Sequence, residues 1–439
     1  MKPNPFVNNL FLRCSLTASM ILPMVISAYG DTLLPAGQTL IDTAGNPALG
    51  VISRSTGATA LFNTAGTATA TGTPLSNGIL GHWAFIGTGT ATRYATLDGS
   101  NNVVSYTAGT ATTWGGTLNS TTANYEISAV GTATYGGSER LANTIRYTGG
   151  AGSAISLGNT SASGLTVNGL INAGTGTLTF QHGGGAFAGA GIHIGATQEL
   201  VLNAANADIN VNARVHNSSG GASGVTVVGS NTVTLSQVHT YTGATTVNAG
   251  TLALGAGGSI ASSSGIAVNG GNFNVSSVVG YSTGASQFLT GNGTVIGNIT
   301  VGGNLAIGAS SGIGTMTFNN NLALANTSTS DFEFTLSTFT LGSCDLALGG
   351  AGAQGVTFDG ILDLMFDSGE TYANSSSVQI FDFETYAGNF DTVNFSGLGA
   401  GQSAIFDSTT GFVTVIPEPG SALLSCIGLP LVFLRRRRI

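Results

Sequence analysis

Positive charge is nearly missing from this chain: 11 Lys and Arg in 439 residues, and none between 215 and 434. Apart from Lys2, Arg13 and the run Arg435 to Arg438, only Arg54, Arg93, Arg140, Arg146 and Arg214 remain, against 19 acidic residues in all. Neutralising a phosphate backbone takes clustered Lys or Arg, so nucleic acid is excluded as a partner. Charge of either sign is scarce, at 7% of residues, and no stretch before residue 420 shows the apolar period of an amphipathic helix. Helical bundles and α/β layers are therefore not expected.

Cysteine is also short. Cys14 and Cys426 lie in the terminal segments, so Cys344 stands alone and no internal disulfide is available. A single thiol of this kind reads as a small buried hydrophobe, and stability has to come from packing and backbone ladders. The five histidines, His82, His182, His193, His216 and His239, lack the His-Glu-x-x-His and Cys-paired spacings of metal sites. Each reads as structural, with His182 and His193 close enough in sequence to meet on adjacent turns. No metal, cofactor or catalytic residue is assigned.

What the chain has is glycine, 68 residues of it, and an apolar fraction of 42%. That much Val, Ile, Leu and Phe offsets ordering entropy, so the chain folds. Short alternating stretches such as Gly224-Val-Thr-Val-Val228, Thr245-Thr-Val-Asn248 and Thr251-Leu-Ala-Leu254 are separated by Gly, Asn and Ser, the pattern of strands and turns. Thr251-Leu252 recurs as Asn272-Phe273, 21 residues on, and Ile299 to Ile307 recurs as Met316 to Leu324, 17 residues on. Units of about 20 residues cannot bury an apolar face alone and must stack on their neighbours. The expected fold is all-β, a right-handed parallel β-helix (solenoid) with a smaller C-terminal β cap. An antiparallel β-sandwich array is the alternative, since periodicity does not fix strand direction.

Texture divides the chain further: an irregular β region over 31–150, the β-helix over 151–340 and an acidic β cap over 341–415. In the first of these, Trp83, Trp114 and Tyr94 read as packing residues, or else as an aromatic row for sugar stacking. In the last, Asp359, Asp363, Asp367, Glu370, Asp382, Glu384, Asp391 and Asp407 alternate with Phe and Leu. A solvated acidic face is favoured over calcium, which needs six to eight converging oxygens. Gly280-Tyr-Ser-Thr-Gly284 and Gly308-Ala-Ser-Ser-Gly312 fit Gly-x-Ser-x-Gly, and Gly350 to Gly355 fits Gly-x-Gly-x-x-Gly. None of them sits at the strand-to-helix turn those motifs require, and so much glycine produces such matches by chance.

The ends carry addresses. Lys2 and Arg13 precede the apolar run Leu16 to Ile26, and Ala28-Tyr29-Gly30 supplies small residues at a cleavage spacing, so 1–30 reads as a signal peptide cut after Gly30. Residues 416–439 hold Pro417-Glu418-Pro419, the apolar segment Ser421 to Leu434 and then Arg435, Arg436, Arg437 and Arg438. The apolar segment, read as a short hydrophobic helix, falls short of the roughly 20 residues that span a bilayer. Terminal arginines on the cytoplasmic side would leave the rest of the chain outside.

This three-part tail resembles the PEP-CTERM sorting signal of Gram-negative bacteria. The resemblance implies transient anchoring in the inner membrane, recognition of Pro417, Glu418, Pro419 and Arg435 to Arg438 by an exosortase-type enzyme, and delivery to the cell surface or medium. A second resemblance lies in Thr240-Tyr-Thr-Gly-Ala-Thr-Thr-Val-Asn-Ala-Gly-Thr-Leu-Ala-Leu-Gly255. It is similar to the autotransporter-associated β-strand repeat of passenger-type proteins, and Leu289 to Gly297 and Gly308 to Phe318 resemble the segments that usually follow it, the whole covering 225–335. A large C-terminal barrel, as in a true autotransporter, is not present, so self-secretion is not implied. The function expected is that of an exported, non-enzymatic, adhesin-like or structural protein of the cell surface or extracellular matrix, with extracellular polysaccharide as a partner. The alternative is a carbohydrate-active β-helix enzyme of the polysaccharide-lyase kind. Such an enzyme generally needs a cation beside the substrate carboxylate, which 215–434 does not supply.

Overall fold

The structure is a computed structural model that describes residues 31–114, 118–129, 139–150, 152–158, 163–182, 190–308, 312–335, 343–350, 354–368 and 370–417. The protein is all-β, and among these residues the only helix is a single 3₁₀ turn at Gly89–Ala91. None of them forms a helix long and apolar enough to cross a membrane.

From residue 110 onward the strands are dealt in rotation to three faces. The first face is a 13-stranded sheet running from Thr110–Thr112 to Thr392–Ser396, and the second is a ten-stranded sheet from Ser153–Ser156 to Phe381–Asp382. The third consists of two four-stranded ladders, joined in the middle by single parallel bridges, Val238 to Ser259 and Ser282 to Thr300. Neighbouring strands in these sheets are parallel. Each circuit of the chain therefore lays one strand on top of its predecessor on each face, which is the arrangement of a solenoid and excludes the antiparallel array.

The 21-residue step is borne out: Thr251 pairs with Asn272 and Leu252 with Phe273. The 17-residue step is not. Ile299 pairs with Leu322, 23 residues on, whereas Thr317 pairs with Thr294 and Met316 with Ala347. The two similar stretches occupy different corners of the coil, Ile299–Val301 and Asn304–Ile307 turning from the third face to the first, Thr315–Phe318 and Leu322–Leu324 from the second to the third. Circuit length varies as well, from 15 residues between Thr110 and Tyr125 to 34 between Leu322 and Val356. Corners absorb the difference.

Alternation along each strand sends every second side chain inward. On the second face, Leu178, Ile209, Val233, Leu252, Phe273, Val295 and Phe318 stack in register, each essentially without exposure. Burying a side chain of this size contributes about 1.5–3 kcal/mol relative to leaving it in water. Cys344 is buried in the same core. Corners hold their own ladder: Asn168 Nδ2 donates to Asn143 Oδ1 at 3.0 Å, and Asn143 Nδ2 to Asn124 Oδ1 at 2.8 Å. At Gly291, φ is +115° and a Cβ would lie 2.2 Å from the Val268 carbonyl oxygen, so only glycine fits that corner.

Parallel ladders run on past residue 340 through Ile361–Phe366, Thr385–Gly388 and Thr392–Ser396. The antiparallel cap is confined to Ser377–Gln379, Gln402–Asp407 and Phe412–Pro417. It covers the end of the coil with an aromatic plug, in which Phe358 meets Phe381, Phe390 and Phe406 at ring-centroid distances of 4.9, 5.1 and 5.2 Å.

The N-terminal segment adds a layer the sequence pattern did not announce. Strands Gln38–Ile41, Thr59–Phe62 and Ala84–Ile86 pair in parallel and continue antiparallel into Arg93–Leu97 and Val103–Ser105. This small sheet builds a second core from Phe62, Trp83, Phe85 and Tyr94 together with Ile171, Val201 and Val228, which are outward-facing residues of the 13-stranded sheet. Leu200, Val201 and Leu202 are all buried for this reason. A strand covered on both faces reads as a continuous apolar run.

Candidate functional site

The seam between the N-terminal layer and the coil gathers most of the interior cations. Glu199 opens the strand Glu199–Ala204 on the 13-stranded sheet. Its Oε2 pairs with the Arg54 guanidinium and lies 3.2 Å from His82 Nε2, while Thr226 Oγ1 donates to its Oε1 at 2.6 Å. Burial pushes this carboxyl up, but His82 and Arg54 together outweigh burial and hold it at about 2. Arg54 also lies over the Trp83 ring, 5.4 Å from its centroid.

Further along the seam, Arg146 donates to the Thr92 and Thr90 carbonyls at 2.8 and 2.7 Å and to Glu126 at 2.9 Å. Arg93 reaches the other Glu126 oxygen at 2.9 Å. Asn248 Nδ2 donates to the Gly57 carbonyl at 2.7 Å. These bonds tie chain segments up to 191 residues apart, and each charge meets its opposite. A carboxylate held ionised and bonded on both oxygens is poorly suited to proton transfer near neutral pH. The cluster acts as a clip.

In front of the clip lies a trough of about 530 Å³ lined by Thr226, Thr246, Thr290, Gln198, Asn269 and Phe288, together with Arg54 and Glu199. A second cleft, about 670 Å³, opens between the cap and the last circuits and is lined by Asp382, Glu384, Gln379, Tyr386 and Phe412.

Of the sorting residues, Pro417 is exposed and ends the last strand, paired with Gln402. Gly30, Glu418, Pro419, Arg435, Arg436, Arg437 and Arg438 lie outside the described residues. The histidines fall into two groups. His82 belongs to the clip, and His193 pairs in register with His216, rings 5.0 Å apart and edge-on, with His182 near enough for its charge to act on His216. His239 Nδ1 accepts from the Val215 N–H at 3.1 Å. Burial, then the neighbouring His216 and Arg214, push His239 down to about 3, and burial followed by His193 pushes His216 down to about 4.

Trp83, Trp114 and Tyr94 are all buried, the reading as packing residues, and form no exposed row. Among the described residues no three His, Cys, Asp or Glu side chains converge as a metal site. Two of the acidic residues do stack: Asp331 pairs with Asp363 across adjacent circuits, each accepting an amide, from Asn304 and Asn394, at 2.7 Å. Ser282, in the first Gly-x-Ser-x-Gly match, donates to the Thr283 carbonyl at 3.1 Å, and Ser310 of the second lies outside the described residues.

Neither the seam nor the trough was read from the sequence. The signal available was the unbroken burial-type run Glu199-Leu-Val-Leu-Asn-Ala204, a charged residue opening a strand apolar on both faces. Comparison with protein-family models, with curated proteins and with solved structures finds no match to this chain.

Proposed function

We propose that the chain is an exported, non-enzymatic protein of the cell surface or extracellular matrix, adhesin-like or structural, delivered by its PEP-CTERM-like tail. The observation that carries this reading is the outer surface of the second face. Thr232, Thr251, Asn272, Thr294 and Thr317 stand in register on five successive circuits, all partly exposed. Strand stacking spaces them about 4.8 Å apart. A stiff scaffold that repeats neutral hydroxyl and amide groups at one spacing suits a polymeric partner with repeating hydroxyls, such as extracellular polysaccharide.

The coil is read as right-handed, the hand that parallel crossovers adopt almost without exception. The signal peptide over 1–30, the apolar helix in 416–439 and the autotransporter-like repeat complete the reading. Cleavage beyond Pro417 would sever no strand of the described fold, since Phe412–Pro417 ends there, which fits processing at Pro417-Glu418-Pro419 by an exosortase-type enzyme after transient inner-membrane anchoring.

The test is to express the full chain in a Gram-negative host with its own sorting machinery, with Pro417-Glu418-Pro419 intact or replaced by three alanines. The intact chain is expected, shortened, at the surface or in the medium, and the substituted chain uncut in the inner membrane. Identical size and location for both would overturn the sorting reading.

A further inference from the structure

The geometry points to the seam trough as a binding site for a short stretch of neutral glycan. This rests on the proposal that the protein meets extracellular polysaccharide, and it names the place and the chemistry. The floor of the trough is the outward surface of the 13-stranded sheet just beyond the edge of the N-terminal layer. Gly224 and Ala244, on consecutive circuits, keep that floor low. Further along it, Gly265 pairs with Phe288, and a Cβ on Gly265 would fall 2.5 Å from Phe288 ring carbons. The absence of that Cβ lets the Phe288 ring lie flat across the sheet, with partial exposure. A flat aromatic face at the floor of a groove is a platform for the C–H face of a sugar ring.

The same floor carries threonines. Thr226 pairs with Thr246, Thr246 with Ala267 and Ala267 with Thr290, so Thr226 and Thr246 stand on adjacent circuits, about 4.8 Å apart, and Thr290 two circuits beyond Thr246. Thr226 is buried and donates to Glu199, and Thr290 is partly exposed. One wall is the edge of the N-terminal layer at Ser55 and Thr56. Arg54 and Glu199 also line the trough, and their charges cancel in their ion pair. Gln198 delivers Glu199 to the trough from a backbone at φ +57°, a region that residues other than Gly and Asn seldom occupy.

The ligand class follows from this lining. With the single guanidinium already paired and no Lys or Arg anywhere from 215 to 434, an anionic chain finds no counter-charge. A neutral chain finds hydroxyl and amide partners along its length and one ring to stack on. The volume, about 530 Å³, lies in the range of pockets that enclose a small ligand.

The experiment is isothermal titration calorimetry of the full chain, freed of its terminal segments by its own host, with three neutral hexasaccharides (β-1,4-glucan, α-1,4-glucan and β-1,4-linked N-acetylglucosamine) and with anionic hexagalacturonate. Phe288→Ala removes the platform, Phe288→Tyr keeps it, and Ala244→Trp fills the floor while leaving Arg54 and Glu199 unsubstituted. At least one neutral hexamer is expected to bind, Phe288→Ala and Ala244→Trp to weaken it tenfold or more with unchanged melting temperature, and Phe288→Tyr to retain it. If Ala244→Trp does not fold, the Ala and Tyr variants at 288 decide alone. Binding that both disruptive variants leave intact overturns the site while sparing the polysaccharide reading. Tighter binding of hexagalacturonate, or no binding of any neutral hexamer by a protein that still reaches the surface, overturns the ligand class and leaves the sorting reading standing.

Discussion

Replacing Glu199 with Gln tests whether the clip holds the N-terminal layer on the coil. Gln keeps the volume and a hydrogen bond to Thr226 but removes the charge that faces Arg54 and His82. The carboxyl titrates at about 2 in the fold against 4.5 for the unfolded chain, and that gap corresponds to about 3 kcal/mol of stability. Loss of one member of a buried pair typically costs a similar amount. Because the folded value is depressed, the contribution is complete above pH 4.5 and is lost as pH falls through about 2. The chain's two tryptophans report separately: Trp83 belongs to the layer's core and Trp114 to the coil's. In a Trp114→Phe background, urea unfolding followed by Trp83 fluorescence should show Glu199→Gln destabilised by about 3 kcal/mol at pH 7, with the difference shrinking at pH 3. A difference below about 0.5 kcal/mol, the scatter of ordinary surface changes, or one that does not change between pH 7 and pH 3, would refute the clip.

Three other perturbations probe the coil. Phe273→Ala, between Leu252 and Val295 in the inward row, should cost about 3–5 kcal/mol in thermal unfolding followed by circular dichroism; a loss under about 1 kcal/mol would mean the row is not packed. His239 is held neutral in the fold at about 3, so its contribution is full above pH 6.5 and declines as pH falls towards 3. At pH 5 the unfolded chain's prior protonation should lower stability by about 2 kcal/mol, visible in the urea midpoint and reduced in His239→Gln; a midpoint unchanged from pH 7.5 to pH 5 contradicts this. Asp363→Asn relieves like charge stacked on Asp331, whose own carboxyl is raised by burial and then by Asp363, and should stabilise by about 0.5 kcal/mol at pH 7; destabilisation there would show that the Asn394 bond outweighs repulsion.

Strand and corner were legible because alternation and glycine are local: Thr251–Leu254 and Asn272–Asn274 fall where the sequence pattern puts them. Face assignment was less so. A strand, a glycine-asparagine corner and another strand look alike at every corner of a three-sided coil, so Ile299 to Ile307 and Met316 to Leu324 resemble each other while lying on different pairs of faces. The change of texture near residue 340 reflects aspartates at outward positions such as Asp363, not a change of architecture. The N-terminal layer left only an indirect trace, the double-sided burial of Leu200, Val201 and Leu202. The clip left almost none, since Arg54 and Glu199 lie 145 residues apart and only the fold brings them together.

In-register parallel stacking is tested most directly by cysteine pairs on the outer surface of the second face, with Cys344 changed to Ala. Thr251 and Asn272 are direct partners, within the Cα separation a disulfide spans, so Thr251→Cys with Asn272→Cys should oxidise readily and keep the native melting temperature. Thr251→Cys with Asn274→Cys, displaced by two positions, should stay reduced under the same conditions. Oxidation of the displaced pair as fast as the aligned one, or none in the aligned pair, would contradict the stacked coil.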